Sequence, residues 1–182
     1  MFDSVPSETV AELQARGVLR VEDGNHGNDR PRPEEFGCGK TKFIRAADLD
    51  CGRVLFESAD KISDVALARI RKGKGKRGDI LFSSKGTVGK LAIVPIDAPP
   101  FVCSPQTTFW RTLDEKQLDR SFLYAYMQSS WFRKQWQAIK GDTDMADYAS
   151  LTSQQQFRVP LPEIIFQRDV ASIFQPLNDK IE

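Results

Sequence analysis

Residues 61–95, KISDVALARIRKGKGKRGDILFSSKGTVGKLAIVP, carry most of the information about the fold. Apolar residues at helical spacing follow Asp60 and Ser63, and either of these two residues can cap a short helix. Two short runs rich in Ile, Leu, Phe and Val come next, at 79–84 and 91–95, with a glycine turn between them. This pattern predicts a helix followed by a β-hairpin.

The turn GTVGK at 86–90 has the composition of a phosphate-binding loop. A P-loop, however, has four residues between its glycines, a Ser or Thr after its lysine, and a helix directly behind it. Here two residues separate Gly86 from Gly89, Leu91 follows Lys90, and the turn joins two predicted strands. The sequence therefore argues against an NTP-binding enzyme of this type.

Outside this stretch, short apolar segments alternate with loops. Their patterns predict helices from Pro6 to a stop at Gly17, over 119–139 and over 163–182, and strands at 18–21, 42–45, 53–57, 106–111 and 157–162. The segment 24–37 holds three of the glycines and two of the prolines and is expected to be a long loop. The expected fold class is α+β, with a mixed, largely antiparallel twisted sheet or partial barrel, flanking helices, and the start of a long C-terminal helix.

The composition is that of a globular domain. The 182 residues are 40% hydrophobic and 28% charged, which is enough apolar material for a core and too much for a disordered chain. No apolar run is long enough to span a membrane, so no membrane contact is expected. Three widely spaced cysteines suggest reduced thiols in the cytoplasm, and a single histidine without a Cys-x-x-Cys pair argues against zinc. Neither a metal nor a cofactor is expected.

Positive charge is concentrated in one segment. The whole chain carries a net charge of +1, but residues 65–90 contain 8 basic residues and 1 acidic residue. A basic patch on an otherwise slightly acidic chain indicates contact with a polyanion. The alternative is a solvated lysine-rich loop that serves solubility.

No catalytic motif is complete. The string nearest to the base-binding motif of a DNA methyltransferase, Ala98-Pro99-Pro100-Phe101, lacks the polar first residue. Glu34, Glu35 and Lys40 share a loop, but such clusters are more often solvated surface than nuclease sites. The lone His26 has no evident nucleophile to activate. The chain is therefore expected not to be an enzyme.

Four stretches occur in an order that is typical of one family: EDGNHGNDRP (22–31), FIRAADLDCGRV (43–54), the segment 61–95 and LTSQQQFRVPLPEIIFQRDVASIFQPLNDKIE (151–182). Together they resemble a target recognition domain of the DNA-specificity (S) subunit of type I restriction–modification systems. The resemblance implies a non-catalytic subunit that recognises a DNA sequence and guides a DNA adenine methyltransferase and an endonuclease. It also implies a recognition domain at 1–162 and the start of a conserved spacer helix at 163–182.

The family's usual S subunit has two recognition domains, so this sequence resembles half a subunit or a truncated one. The implied partners are double-stranded DNA, the modification (methyltransferase) subunit and, through it, the restriction subunit, with a homodimer or a second half-subunit supplying the other recognition domain. Similar domains also occur fused to single-chain methyltransferase–nucleases. A protein-interaction or regulatory remnant that does not read DNA is a further alternative.

The candidate DNA-binding residues fall into groups with different chemistry. Phosphate contact requires cations, and the interleaved glycines are expected to let the backbone approach DNA closely; the candidates are Lys72, Lys74, Lys76, Arg77, Lys85 and Lys90, with Thr87 in the same turn. Reading of bases requires side chains such as Arg, Asn and Gln in loops; the candidates are Asn25, His26, Asn28, Arg30, Arg32, Ser104 and Gln106. A third loop offers Lys140 and Thr143, beside Asp142 and Asp144.

Overall fold

The computed structural model describes residues 5–139 and 148–178, with side chains described up to Phe174. Its strands are β1 Ser7–Thr9, β2 Leu19–Asp23, β3 Phe36–Ile44, β4 Leu49–Asp50, β5 Arg53–Val54, β6 Lys61–Ile62, β7 Ile80–Ser83, β8 Leu91–Ile93, β9 Phe101–Cys103, β10 Thr107–Thr112 and β11 Arg158–Pro160. Its α-helices are α1 Val10–Ala15, α2 Asp64–Arg69, α3 Arg120–Met127, α4 Ser130–Gln137, α5 Leu151–Gln154 and α6 Ile164–Asn178.

The chain forms two compact units. The central unit contains residues 22–110 and Tyr148, and the terminal unit contains the described residues up to Val21 together with 111–139 and 149–178. The boundaries at 21/22 and 110/111 fall within β2 and β10.

The predicted hairpin forms the centre of one sheet. Strands β7 and β8 pair antiparallel, with Ile80 opposite Ile93 and Phe82 opposite Leu91. Strand β10 pairs antiparallel with the other side of β7, and the strand order is β2-β10-β7-β8. All four residues of β7 are buried, as expected for a strand covered on both faces. The hairpin prediction is confirmed.

A second sheet has the strand order β6-β3-β9 and contains a parallel pair of strands. β3 runs antiparallel to β6 and parallel to β9. Phe36 and Thr41 both pair with Ile62, so β3 bulges between them. The expected mixed, largely antiparallel fold is confirmed, and the described strands form separate sheets rather than a closed barrel.

Apolar side chains from the sheets form the core of the central unit. One cluster joins Ile44, Leu81 and Phe109, which are at most 1% exposed, and a second cluster joins Phe43, Ile62 and Val102. Burial of this kind stabilises by about 25 cal/mol per Å² of apolar surface. The core therefore supports the turns and loops that leave the strands.

In the terminal unit, β1 pairs antiparallel with β11, and α3 packs against α6. Gln167 of α6 is fully buried and bonds to three backbone groups. Its Oε1 accepts from the Asp119 amide, and its Nε2 donates to the carbonyls of Gln117 and Pro162. These bonds fix the start of α6 to the segment that leads into α3.

Several predicted elements have different boundaries in the structure. The first helix begins at Val10 rather than at Pro6, because Thr9 and Glu12 form a capping box there. The helix predicted over 119–139 is two helices, since the Ser129 side chain accepts from the Phe132 amide and starts α4. The sequence interpretation missed β1, β4, β6, β9 and α5. Helix α6 runs past Pro176 to Asn178.

Among the described residues, no helix combines the length and the apolar character that crossing a membrane requires.

Candidate nucleic-acid interface

The long loop between β2 and β3 is fastened at its start. The amide of Gly24 donates to the carbonyl of Thr107 at 2.9 Å, and the amide of Asn25 donates to that of Cys103 at 2.7 Å. A Cβ atom on Gly24 would lie 1.8 Å from the Ser104 carbonyl oxygen, so only glycine fits there. The loop therefore leaves the sheet directly beside residues 103–107.

The other end of this loop is held by an ion pair. Arg69 at the end of α2 donates from both terminal nitrogens to the Glu35 carboxylate, at 2.9 and 2.6 Å. It also donates to the Arg30 carbonyl at 3.1 Å, and Glu35 accepts from the Arg32 amide at 2.7 Å. Arg69 and Glu35 thus fix the backbone of two residues whose side chains are candidate base readers.

The same contacts determine how Glu35 titrates. Hydrogen bonds from the Arg69 side chain, and then from the Arg32 amide, lower the pKa of Glu35 from 4.5 to about 2. A lowered pKa in the folded state means that the carboxylate stabilises the fold above pH 4.5, and that this stabilisation is lost as the pH falls towards 2.

We predict that Glu35→Gln is less stable than the unsubstituted chain at pH 7, and that the difference disappears as the pH falls from about 4.5 to about 2. Urea unfolding midpoints of both proteins across this range measure the effect. Glu34→Gln, at the exposed neighbouring position, serves as the control and should follow the unsubstituted chain. A difference that stays constant down to pH 2 would contradict the assigned role of the Glu35 carboxylate.

The loop, the end of β3 and the segment after β9 line a groove with a volume of about 610 Å³. Four of its lining side chains are cationic, and none is acidic. The lining residues are Gly27, Arg30, Pro31, Arg32, Pro33, Phe36, Phe43, Arg45, Lys85, Ser104, Pro105 and Gln106. A groove that presents cations, amides and apolar rings without carboxylates suits a polyanion with flat heterocycles.

The structure brings five of the sequence candidates together in this groove: Arg30, Arg32, Lys85, Ser104 and Gln106. Lys85 reaches it from the start of the hairpin turn. Its ammonium lies 5.6 Å from the centre of the Tyr148 ring, and the backbones of these two residues form a β-bridge. Cation–π contact of this kind orients the lysine side chain.

Other candidates of the loops lie outside the groove lining. His26, Asn28 and Thr87 are exposed, whereas Asn25 is only 1% exposed. No described residue provides a hydrogen-bond partner for the Asn25 side-chain oxygen. Lys140 and Thr143 lie outside the described residues.

The lysine-rich connector, residues 72–78 between α2 and β7, lies elsewhere on the central unit. Lys72, Lys74, Lys76 and Arg77 are exposed and do not line the groove, and the Arg77 side chain donates to the Ala98 carbonyl at 3.1 Å. Lys90 is half-buried, and its amide donates to the Ser83 hydroxyl.

The glycines of the connector pack inside the protein. A Cβ on Gly73 would lie 2.4 Å from the Asn25 amide nitrogen, and one on Gly75 would lie 2.1 Å from the Phe101 ring. Protein atoms therefore occupy the side of Gly73 and Gly75 that a Cβ would fill, and the approach of DNA to this backbone stays a prediction.

The sequence interpretation missed Phe36, Phe43 and Arg45. Arg45 directly follows β3, and its guanidinium lies 5.2 Å from the centre of the Phe36 ring and 5.4 Å from that of Phe43. The bulge of β3 determines where Phe36 lies relative to Phe43. Hydrophobic alternation does not reveal a bulge, but an arginine at the end of a strand beside an aromatic residue was a visible signal.

The sequence model for the type I restriction modification DNA specificity domain matches residues 28–182. Fifteen chains of solved structures match this chain, and three of them illustrate the shared fold. The HsdS subunit from Thermoanaerobacter tengcongensis has a TM-score of 0.67 at 15% identity, over 99% of this chain and 39% of that one. A chain from a study of complex assembly and conformational transition of the type I R-M system has a TM-score of 0.66 at 15% identity, over 99% of this chain and 40% of that one.

The type IIG restriction endonuclease BpuSI is also similar, with a TM-score of 0.65 at 9% identity over 96% of this chain and 26% of that one. The chain thus spans about two fifths of the first two structures and a quarter of the third. A search of curated proteins finds no match.

Proposed function

The chain belongs to the family of type I restriction modification DNA specificity domains, and on this premise we propose that it recognises a specific sequence in double-stranded DNA. The observation that carries this proposal is the groove of the central unit, where Arg30, Arg32, Arg45 and Lys85 converge without an acidic side chain. The chain itself acts as the reader, and the methylation and cleavage chemistry belongs to other subunits.

Affinity and specificity arise from different residues in this proposal. Cations that meet phosphates supply affinity and register, whereas side chains that meet base edges supply sequence information. Arg30 and Arg32 belong to a loop whose backbone is held by Arg69 and Glu35. Gln106 lines the same groove and belongs to a second segment. Arg suits guanine and Gln suits adenine, so these three are the proposed base readers.

The exposed connector lysines are proposed to contact phosphates. We predict that Lys74→Glu/Lys76→Glu weakens binding to all DNA sequences alike and lowers the slope of log K against log salt by about 1 for each lost contact. A salt titration of fluorescence anisotropy measures both quantities. If neither affinity nor slope changes, the connector does not contact DNA.

Helix α6 supports a proposal about partners. Phe166 and Ile173, seven residues apart on this helix, are 49% and 66% exposed, and Ile165 is 69% exposed. Exposed apolar residues on one side of a helix require cover. We propose that residues 163–182 begin a spacer helix that packs against another helix of the assembly, and that residues 1–162 form the recognition domain. The modification subunit, and through it the restriction subunit, then binds to this spacer.

A second candidate parent is a single-chain methyltransferase–nuclease with the same recognition domain. The similarity to the type IIG endonuclease favours this alternative. In either case the three free cysteines suit the reducing conditions of the cytoplasm, where we propose that the protein works.

An electrophoretic mobility shift tests the proposed function, with random and selected duplexes, in the presence and absence of a partner methyltransferase. Sequence-dependent retardation supports DNA recognition. Tight binding to the partner with no dependence on DNA would instead identify an interaction module and refute the proposal.

A further inference from the structure

Arg45 has a more constrained side chain than the loop arginines of the same groove. Its guanidinium lies over Phe36 and Phe43, whose rings meet edge to face with their centres 5.5 Å apart. The two rings restrict the position of the guanidinium, because movement away from them loses both cation–π contacts.

Asp60 fixes the direction of the same side chain. Its carboxylate accepts from Nη1 of Arg45 at 2.7 Å. The backbones are fixed as well, since the Asp60 carbonyl accepts from the Phe43 amide and the Arg45 amide donates to Asp48. The aromatic contacts and the bond to Asp60 therefore restrict the position and the direction of the guanidinium before any ligand arrives.

The arginine still faces the groove. Its side chain is 36% exposed and lines the groove, and its hydrogen bond to Asp60 leaves from Nη1. The Asp60 carboxylate also neutralises most of its charge at long range. A guanidinium that is paired with a carboxylate attracts phosphates weakly. It can still donate two parallel hydrogen bonds to two acceptor atoms of one base.

We propose that Arg45 is a specificity-determining residue that reads a guanine through its O6 and N7 atoms, with Phe36, Phe43 and Asp60 as positioning residues. This inference rests on the proposed function and deepens it. Guanine is the base with two acceptors on its major-groove edge, which is the pattern that a fixed pair of N–H donors selects.

Selection from a randomised pool of duplexes by the full chain, followed by sequencing, tests the inference. The unsubstituted chain is expected to enrich a site with guanine at one position that depends on Arg45. The variant Arg45→Lys keeps the charge but loses the planar fork, so its preference for guanine at that position should fall by about 10-fold or more. Affinity for unselected DNA should stay within about twofold, since the charge is retained.

Two further variants separate reading from folding. Phe36→Leu leaves Arg45 in place and removes one cation–π partner, so it should weaken the same preference by a smaller factor. Arg71→Lys, at an exposed arginine that does not line the groove, should select the same site as the unsubstituted chain. Thermal melting identifies a variant that fails to fold. If Arg45→Lys fails to fold, the change in guanine preference of Phe36→Leu tests the inference instead.

The outcomes also distinguish this inference from the proposed function. If the unsubstituted chain enriches a site and Arg45→Lys enriches the same one, Arg45 does not read a base, although DNA recognition stands. Loss of preference at several positions at once indicates a merely structural role and also overturns the inference. No enrichment by the unsubstituted chain refutes the proposed function, and the role of Arg45 with it.

Discussion

The double variant Arg30→Glu/Arg32→Glu is expected to bind its selected DNA site at least about 100-fold more weakly than the unsubstituted chain. Each arginine that reads a base contributes about 1–3 kcal/mol of discrimination, and the two substitutions remove two such contacts. They also place carboxylates in a groove whose lining holds none, so the phosphates that approach it are repelled.

The fold of the loop should survive these substitutions. The substitutions remove the bond from the Arg30 side chain to the Gly27 carbonyl within the loop. The Arg30 carbonyl and the Arg32 amide, which bond to Arg69 and Glu35, both remain. Anisotropy titrations with the selected duplex measure the loss. A matched control, Arg133→Glu/Lys134→Glu, changes two exposed cations of α4 that do not line the groove by the same charge. Equal weakening by both variants would show a general charge effect and contradict the groove assignment.

The second large effect is expected from Gly24→Ala, which should destabilise the protein by about 3 kcal/mol and abolish specific binding. The new Cβ would lie 1.8 Å from the Ser104 carbonyl oxygen and 2.7 Å from that of Thr107. These are backbone atoms that cannot turn aside as a side chain would. The hydrogen bonds from Gly24 and Asn25 to the neighbouring segment would therefore break, and two walls of the groove would separate.

Gly27→Ala is the control for this change. Gly27 lies in the same loop with φ of 78°, and a Cβ there would meet no atom within 4 Å. It should cost only the strain of a left-handed alanine, about 1 kcal/mol. Urea unfolding and anisotropy with the selected duplex measure both variants. If Gly24→Ala is no less stable than Gly27→Ala, close packing at the root of the loop does not hold the groove together.

The hairpin was predictable from sequence because both signals were local. A glycine turn between two apolar runs predicts the pairing of β7 and β8. Ser63, one of the two residues proposed to cap α2, is its N-cap. By contrast, β9 pairs in parallel with β3 across a long separation in sequence. Such a pairing depends on tertiary contacts that no local pattern records.

The site was predictable in part. Arg30, Arg32 and Gln106 stood out as arginine and amide side chains in loops, and all three line the groove. Charge density directed attention to the connector lysines, yet only Lys85 of the basic segment lines the groove. Arg45 was missed because its environment depends on a bulge in β3 and on Asp60, which the sequence does not place beside it.

Hydrogen–deuterium exchange of the full chain, with and without its selected duplex, tests most directly whether the groove is where DNA binds. We predict that DNA slows exchange in the loop at 24–35, in the turn at 85–90 and in the segment at 103–107, while α3 and α4 exchange as before. Protection confined to other segments, with the groove unchanged while DNA is bound, would contradict the account.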